Sequence, residues 1–305
     1  MKLTYGANSG GYAHVLVYLD HNILTWLVEQ QSANRENVEY QQSLALLREN
    51  DTTVVLSAVS LYEIANSNNE RHVALSIELL EELSPLWLSN SVYLQTEELR
   101  RYITHKLRGP ALQPLRPLNT TMSQLWSTYG SREVNIGETV SDCIISWHRD
   151  RVALERVARA ARETPEAIMV GRRALAEGFA RNNAMIVDEE YYRTRLPVPS
   201  SFPVDIPARL YRDLPRLLAE DGRRVHKVCP AIKAEDLCQR FRVDAGFRPE
   251  PQDALDLQHS IGALAYCDYF VTRDHDIHAM FQYVQARWNH CPCVAVDSCE
   301  HIVAR

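Results

Sequence analysis

Short β-rich runs alternate with helical patterns at both ends of this chain, and that alternation limits the folds it can adopt. Apolar and β-branched residues dominate the runs VLVYLD, TTVVLSAVS, CDYFVTRD and CVAVDS, which are therefore predicted strands. Amphipathic helical patterns, such as RHVALSIELLEELS, separate them. Strands that alternate with helices form a mostly parallel sheet covered by helices. The sequence thus predicts an α/β fold, a three-layer α/β/α sandwich with a central, mostly parallel sheet.

The middle of the chain has a different pattern. Residues 101–244 show helical periodicity and almost no β-rich run. The predicted helices lie at 119–130, 138–163, 165–183, 206–220 and 231–241. We therefore expect an α/β core built from residues 1–100 and 245–305, interrupted by a mostly helical insertion or subdomain over 101–244.

Composition narrows the class of protein and of partner. No apolar run of the 305 residues approaches the roughly 20 residues that a membrane helix needs. The N-terminus MKLTYGANSGGYAH lacks the apolar stretch of a signal peptide, and the seven cysteines are scattered. These features predict a cytoplasmic protein with reduced thiols and no membrane partner. The net charge of −6 means that a polyanion would bind at a local patch or through a metal ion.

Four acidic residues lie at or near the ends of predicted strands. Asp20 ends the first strand, Glu63 follows the second, and Asp274 ends the third; Asp256 lies in the helix before that strand. Ligand sites in open parallel sheets gather outside the carboxyl ends of the strands, so these side chains are expected to converge. Clustered carboxylates require protons or a cation, and hard oxygen ligands favour Mg²⁺ or Mn²⁺.

Three segments carry a family resemblance. VYLDHN, LSAVSLYEIAN and DLQHSIGALAYCDYFVTRDHDI resemble the three acidic motifs of the PIN-domain ribonucleases. The resemblance covers roughly residues 1–100 and 245–305. It implies an α/β/α sandwich, a Mg²⁺- or Mn²⁺-dependent endonuclease site and RNA as substrate. The positions that match are the catalytic, metal-binding acids Asp20, Glu63, Asp256 and Asp274, with Asn22 and Thr272 as supporting residues.

Several assignments have alternatives. Asp253 lies three residues before Asp256 and shares its helix face, so it is a second candidate ligand. We favour Asp256 because His259 follows it at the spacing of the motif, although His259 is equally compatible with a structural role in the core. Glu97 or Glu98 could replace Glu63, and Asp276 competes with Asp274. His21 also departs from the motif, which commonly has a small hydroxyl residue there.

The insertion contains weaker candidates for RNA binding. Arg172 and Arg173 could contact phosphates, and Tyr191 and Tyr192 could stack on unpaired bases or simply pack in a core. The resemblance further implies a toxin-like or defence role, an inhibitory antitoxin-like protein and a homodimer as partners. Two rival functions stay open: a DNA nuclease with the same site, and a non-catalytic RNA- or protein-binding module that kept the fold.

Overall fold

A single mixed sheet organises the chain. The computed structural model describes residues 14–49, 51–129, 137–150, 152, 154–155, 188–245 and 253–302. Within these ranges six strands form one sheet: β1 (Val15–Leu19), β2 (Thr52–Leu56), β3 (Leu86–Leu88), β4 (Leu118–Asn119), β5 (Tyr269–Val271) and β6 (Val294–Val296). Their order is β4-β3-β2-β1-β5-β6. Only β4 runs antiparallel to its neighbour, so the prediction of an α/β fold with a mostly parallel sheet is confirmed.

Helices make up most of the remaining described residues. They are α1 (His21–Ala33), α2 (Val38–Leu47), α3 (Ala58–Ala65), α4 (Glu70–Leu83), α5 (Ser91–Lys106), α6 (Met122–Ser127), α7 (Val140–Arg149), α8 (Glu189–Arg195), α9 (Ala208–Glu220), α10 (Gly222–Val228), α11 (Pro230–Asp244), α12 (Asp253–Tyr266) and α13 (His275–Arg287). In the part of the chain described, no helix combines the length and apolarity needed to cross a membrane.

The strands bury side chains on both faces of the sheet. Val17 and Leu19 of β1 enter one apolar cluster with residues of α1 to α4, whereas Tyr18 enters a second cluster with α11, α12 and α13. This alternation follows from the two-residue repeat of a strand. Helices therefore pack on both faces, an arrangement compatible with a three-layer sandwich.

The middle of the chain contacts the core closely. Helix α7 packs on α3 and α4, and α11 packs on α12 and α13. Helices α8, α9 and α10 share a third apolar cluster with α5. The predicted boundary at residue 101 falls inside α5. The division into core and insertion stays a prediction, and these contacts show how its two predicted parts are joined.

The strand predictions are wrong where pairing with a neighbouring strand, rather than the local sequence pattern, determines whether a strand forms. The predicted strand over residues 52–60 ends at Leu56, because Ser57 caps α3. The segment LWL, which follows the predicted helix stop and was not predicted as a strand, forms β3, paired with β2. The two-residue strand β4 lies in a region where almost no β-structure was expected. The predicted helix at 165–183 lies outside the described residues.

Candidate metal centre

The candidate site lies where the strand order of the sheet reverses. From β1 the chain adds β2 and then β3 on one side, and later places β5 and β6 on the other side. The carboxyl ends of β1 and β5 are adjacent, and the amide of Asp20 donates to the carbonyl of Val271 at 3.0 Å. Such a switch point forms a crevice that binds ligands in open α/β sheets. Asp20 follows β1 and Thr272 follows β5, and we call the region beyond these two strand ends the crevice.

Asp20 is held by residues that come from two strand ends. Its Oδ2 accepts hydrogen bonds from Thr272 Oγ1 at 2.5 Å and from Asn22 Nδ2 at 2.8 Å. Its Oδ1 accepts from the amide of His21 at 2.8 Å, so Asp20 also caps α1. The side chain is only 5% exposed. Asp20 is therefore both a helix cap and a fixed wall of the crevice, and the supporting residues Asn22 and Thr272 lie beside it.

Asp274 joins the same network through its backbone. Its amide donates to Thr272 Oγ1 at 3.0 Å, and its Oδ1 caps α13 by accepting from the amides of Asp276 and Ile277. Asn22 Oδ1 accepts from the amide of Arg273 at 3.1 Å. Asp274 is exposed at the rim, whereas Asp20 lies inside.

Glu63 reaches the site from helix α3. This helix begins directly after β2 because Ser57 and Ser60 form a reciprocal capping box. Glu63 Oε2 is buried, has no hydrogen-bond partner in the described part of the chain, and lies 3.8 Å from His21 Nδ1. Burial, and then the negative charges of Asp20 and Asp256, raise the pKa of the Glu63 carboxyl well above its usual range. The charges of both aspartates therefore act on the Glu63 carboxyl.

Asp256 reaches the site from the first turn of α12. Its Oδ1 lies 3.9 Å from Nε2 of His259, one turn further along the helix. The helix begins at Asp253, whose side chain lies outside the described part of the structure, so the choice between the two aspartates stays a prediction.

His259 lies against the core below the site. Its ring packs at 5.5 Å from Tyr18 and 5.6 Å from Phe270, and it is 2% exposed. Burial lowers the pKa of His259, and the charges of Asp20 and Asp274 oppose that shift. The packing agrees with the structural alternative for this residue, while its electrostatic contact with both aspartates keeps it at the site.

The donor chemistry fits a hard divalent cation. Asp20 and Glu63 offer carboxylate oxygens, and Glu63 Oε2 has a lone pair that no donor among the described residues satisfies. As the side chains stand, no three His, Cys, Asp or Glu groups among the described residues are grouped tightly enough to hold a metal ion. The described donors therefore occur in pairs, such as Glu63 Oε2 and His21 Nδ1 at 3.8 Å, and not as a formed cluster of three.

Other predicted residues lie elsewhere. Tyr191 and Tyr192 are 1% and 0% exposed in the third apolar cluster, so the prediction that they stack on bases is wrong and the packing alternative holds. Arg172 and Arg173 lie outside the described residues. Glu98 accepts hydrogen bonds from the amide of Ala231 in α11 and from the hydroxyl of Tyr266. Tyr266 lies about 15 Å along α12 from Asp256, at 1.5 Å per residue. Glu98 therefore does not replace Glu63 at the site.

His21 is the site residue whose role the sequence did not reveal. It was noted only as a departure from the motif, yet its Nδ1 faces Glu63 Oε2. Burial lowers the pKa of His21, and the charge of Asp20 opposes that shift. The position of His21 directly after Asp20 could have indicated its role. Asp20 caps α1 and His21 is the first residue of that helix, so the two residues lie beside the same crevice.

We expect the hydroxyl of Thr272 to contribute more to the free energy of unfolding than its buried methyl group does. Thr272→Val leaves the amide of Asp274 without its acceptor and removes a donor to Asp20. We expect the free energy of unfolding to fall by about 1–3 kcal/mol. Thr272→Ser keeps the hydroxyl and should lose clearly less. Urea denaturation of both variants tests this, and a loss in Thr272→Ser that equals or exceeds the loss in Thr272→Val would refute the greater weight of the hydroxyl.

Comparison with known proteins finds no family model, no curated protein and no solved structure that matches the chain. The case for its function therefore depends on the residues of the crevice and on the resemblance of its acidic segments.

Proposed function

We propose that this protein is a metal-dependent endoribonuclease with a PIN-like core. The observation that supports the proposal is that acids of separate segments interact near the switch point of the sheet, although no three of them form a metal cluster among the described residues. The charges of Asp20 and Asp256 both act on Glu63, and Asp20 shares Thr272 with Asp274. Buried carboxylates that repel each other destabilise a protein unless they serve a ligand, so an idle cluster of this kind is unfavourable.

The resemblance of VYLDHN, LSAVSLYEIAN and DLQHSIGALAYCDYFVTRDHDI to the PIN motifs supports the same proposal. The acids that the resemblance selects are up to 254 residues apart in the sequence, from Asp20 to Asp274, yet both of these residues bond to Thr272, Asp20 through its carboxylate and Asp274 through its amide. A three-layer PIN-like sandwich is the finer fold that we propose on this basis. The toxin-like role, the antitoxin-like partner and the homodimer stay predictions of the resemblance.

The residues of the chain have distinct tasks in this proposal. Asp20 and Glu63 would hold Mg²⁺ or Mn²⁺ inside the crevice, with Asp256 and Asp274 at its edges. A bound divalent ion would stabilise negative charge on a phosphodiester and make a water molecule more acidic. Thr272 and Asn22 fix the orientation of the Asp20 carboxylate through their hydrogen bonds. The ion would also reverse the local negative charge, which allows an acidic protein to bind RNA.

Cleavage assays with matched variants test the proposal. Purified protein is incubated with total RNA or single-stranded DNA in Mg²⁺, Mn²⁺ or EDTA, beside Glu63→Gln, which keeps the size of the side chain but removes its charge. We expect the wild type to cut RNA only with metal, and Glu63→Gln to lose most of that activity, because the variant lacks an anionic metal ligand.

Each outcome decides between the candidate functions. Metal-dependent cutting of DNA in preference to RNA would assign the site to a DNA nuclease. RNA that is bound but never cut, with any of the metals, would favour a binding module. Full activity in EDTA, or in Glu63→Gln, would refute the proposed metal site.

A further inference from the structure

Two histidine nitrogens at the site have no hydrogen-bond partner among the described residues. His21 Nδ1 and His259 Nε2 are both buried and unsatisfied, and each faces a carboxylate oxygen. The distances are 3.8 Å from His21 Nδ1 to Glu63 Oε2 and 3.9 Å from His259 Nε2 to Asp256 Oδ1. Buried polar atoms without partners are rare and costly, so this repeated arrangement requires a physical reason.

The spacing of the His21–Glu63 pair suits two ligands of one cation. A separation of 3.8 Å is too long for a hydrogen bond. Two ligand atoms bound at about 2.1 Å to one ion lie about 3.0 Å apart at a right angle and about 4.2 Å apart in line. The pair falls between these limits. Glu63 Oε2 is itself unpartnered, so both atoms of the pair are available to the same ion.

The second nitrogen of His21 is already engaged. Its Nε2 lies 3.3 Å from Thr25 Oγ1, one turn further along α1. Histidines that bind metals commonly use their other ring nitrogen in a hydrogen bond that fixes the ring. With the ring proton on Nε2, Nδ1 presents a lone pair toward Glu63.

His259 provides a second observation, beside Asp256 of α12. It is 2% exposed, fixed by Tyr18 and Phe270, and its unpartnered Nε2 is directed at Asp256. A buried nitrogen beside an acidic crevice, with no protein partner of its own, again indicates that a ligand completes the site.

We propose that the site is a mixed nitrogen–oxygen metal centre in which His21 Nδ1 and Glu63 Oε2 bind the same divalent cation. The inference rests on the metal site of the proposed function and refines its choice of ion. Imidazole favours transition ions, whereas Mg²⁺ prefers oxygen ligands alone. The centre should therefore prefer Co²⁺ over Mg²⁺, and His21 should be the source of that preference.

Calorimetric titration with Co²⁺ and with Mg²⁺ tests the centre without reference to cleavage. The proteins are the wild type, His21→Asn, Glu63→Gln, the double variant and His105→Asn, which changes an exposed histidine at the end of α5. We expect His21→Asn to weaken Co²⁺ binding by about 10- to 100-fold and Mg²⁺ binding far less. His105→Asn should match the wild type. The visible spectrum of bound Co²⁺ should also change in His21→Asn, because a nitrogen ligand is lost.

The double variant tests whether one ion is shared. If His21 and Glu63 bind the same ion, the two losses of Co²⁺ affinity should sum to more than the loss in the double variant. Unchanged Co²⁺ binding by folded His21→Asn, or fully additive losses, would overturn the shared centre. A wild type that binds neither ion would overturn the centre and the proposed nuclease together. Binding that depends on His21, without any RNA cleavage, would uphold the centre and reject the nuclease alone.

Discussion

Asp20→Asn is expected to abolish metal-dependent RNA cleavage while the protein stays folded. Asparagine is as good a helix cap as aspartate, so the hydrogen bond from the amide of His21 can be kept. The substitution removes the charge that would bind the ion and exchanges an acceptor for a donor next to Thr272. An ion that provides several kcal/mol of charge stabilisation would then be lost, so the cleavage rate should fall by about 100-fold or more.

Asp188→Asn is the matched control for this experiment. Asp188 caps α8 by accepting from the amide of Tyr191 at 2.9 Å, so the same chemical change occurs at a helix start in the third apolar cluster. Its cleavage rate should equal that of the wild type. Circular dichroism and urea denaturation establish that both variants fold. Undiminished cleavage by Asp20→Asn would remove Asp20 from the site, and an equal loss in both variants would attribute the effect to the fold.

Local pattern was sufficient to predict the elements that carry the acids. The strand β1 and the cap at Asp20 could be predicted because an apolar β-branched run ends abruptly in a capping residue. The capping box of Ser57 and Ser60 in α3 is a short-range feature of the same kind, although the predicted strand over residues 52–60 ran past it. These are short-range preferences of the chain, and tertiary contacts did not override them.

Long-range pairing could not be predicted in the same way. The local pattern alone does not show that β5 lies beside β1, yet this pairing brings Thr272 Oγ1 within 2.5 Å of Asp20 Oδ2. Three residues, LWL, form β3 only because β2 offers an unpaired edge. The unpartnered nitrogens of His21 and His259 could not be predicted from the sequence either. Whether a polar atom finds a hydrogen-bond partner depends on the packing of the folded protein.

Glu98 is expected to have the largest effect on stability among the residues outside the crevice. Helix α11 has no side-chain cap of its own, and Glu98 on α5 replaces it by accepting from the amides of Ala231 at 2.9 Å and Ile232 at 3.3 Å. The hydroxyl of Tyr266 donates to the same carboxyl. Glu98→Leu would leave these buried donors unsatisfied, so the free energy of unfolding should fall by about 2–5 kcal/mol.

The same carboxyl makes stability depend on pH. Burial, opposed by the hydrogen bonds from Tyr266, Ala231 and Ile232, raises the pKa of Glu98 from 4.5 to about 8. Between these values the folded protein keeps a proton that the unfolded chain releases. The contribution of Glu98 to stability is therefore complete below about pH 4.5 and is lost as the pH rises toward 8, with a limiting slope of about 1.4 kcal/mol per pH unit.

Glu98→Gln separates the charge of this residue from its hydrogen bonds. Glutamine keeps an acceptor oxygen for the amide of Ala231 and for Tyr266 but cannot ionise. The variant should therefore gain stability relative to the wild type as the pH rises from 5 to 8, as expected for a group whose folded pKa is about 8. Urea denaturation at several pH values measures the difference. Parallel curves for the two proteins would mean that Glu98 is ionised throughout, and that the hydrogen bonds from α11 offset its burial.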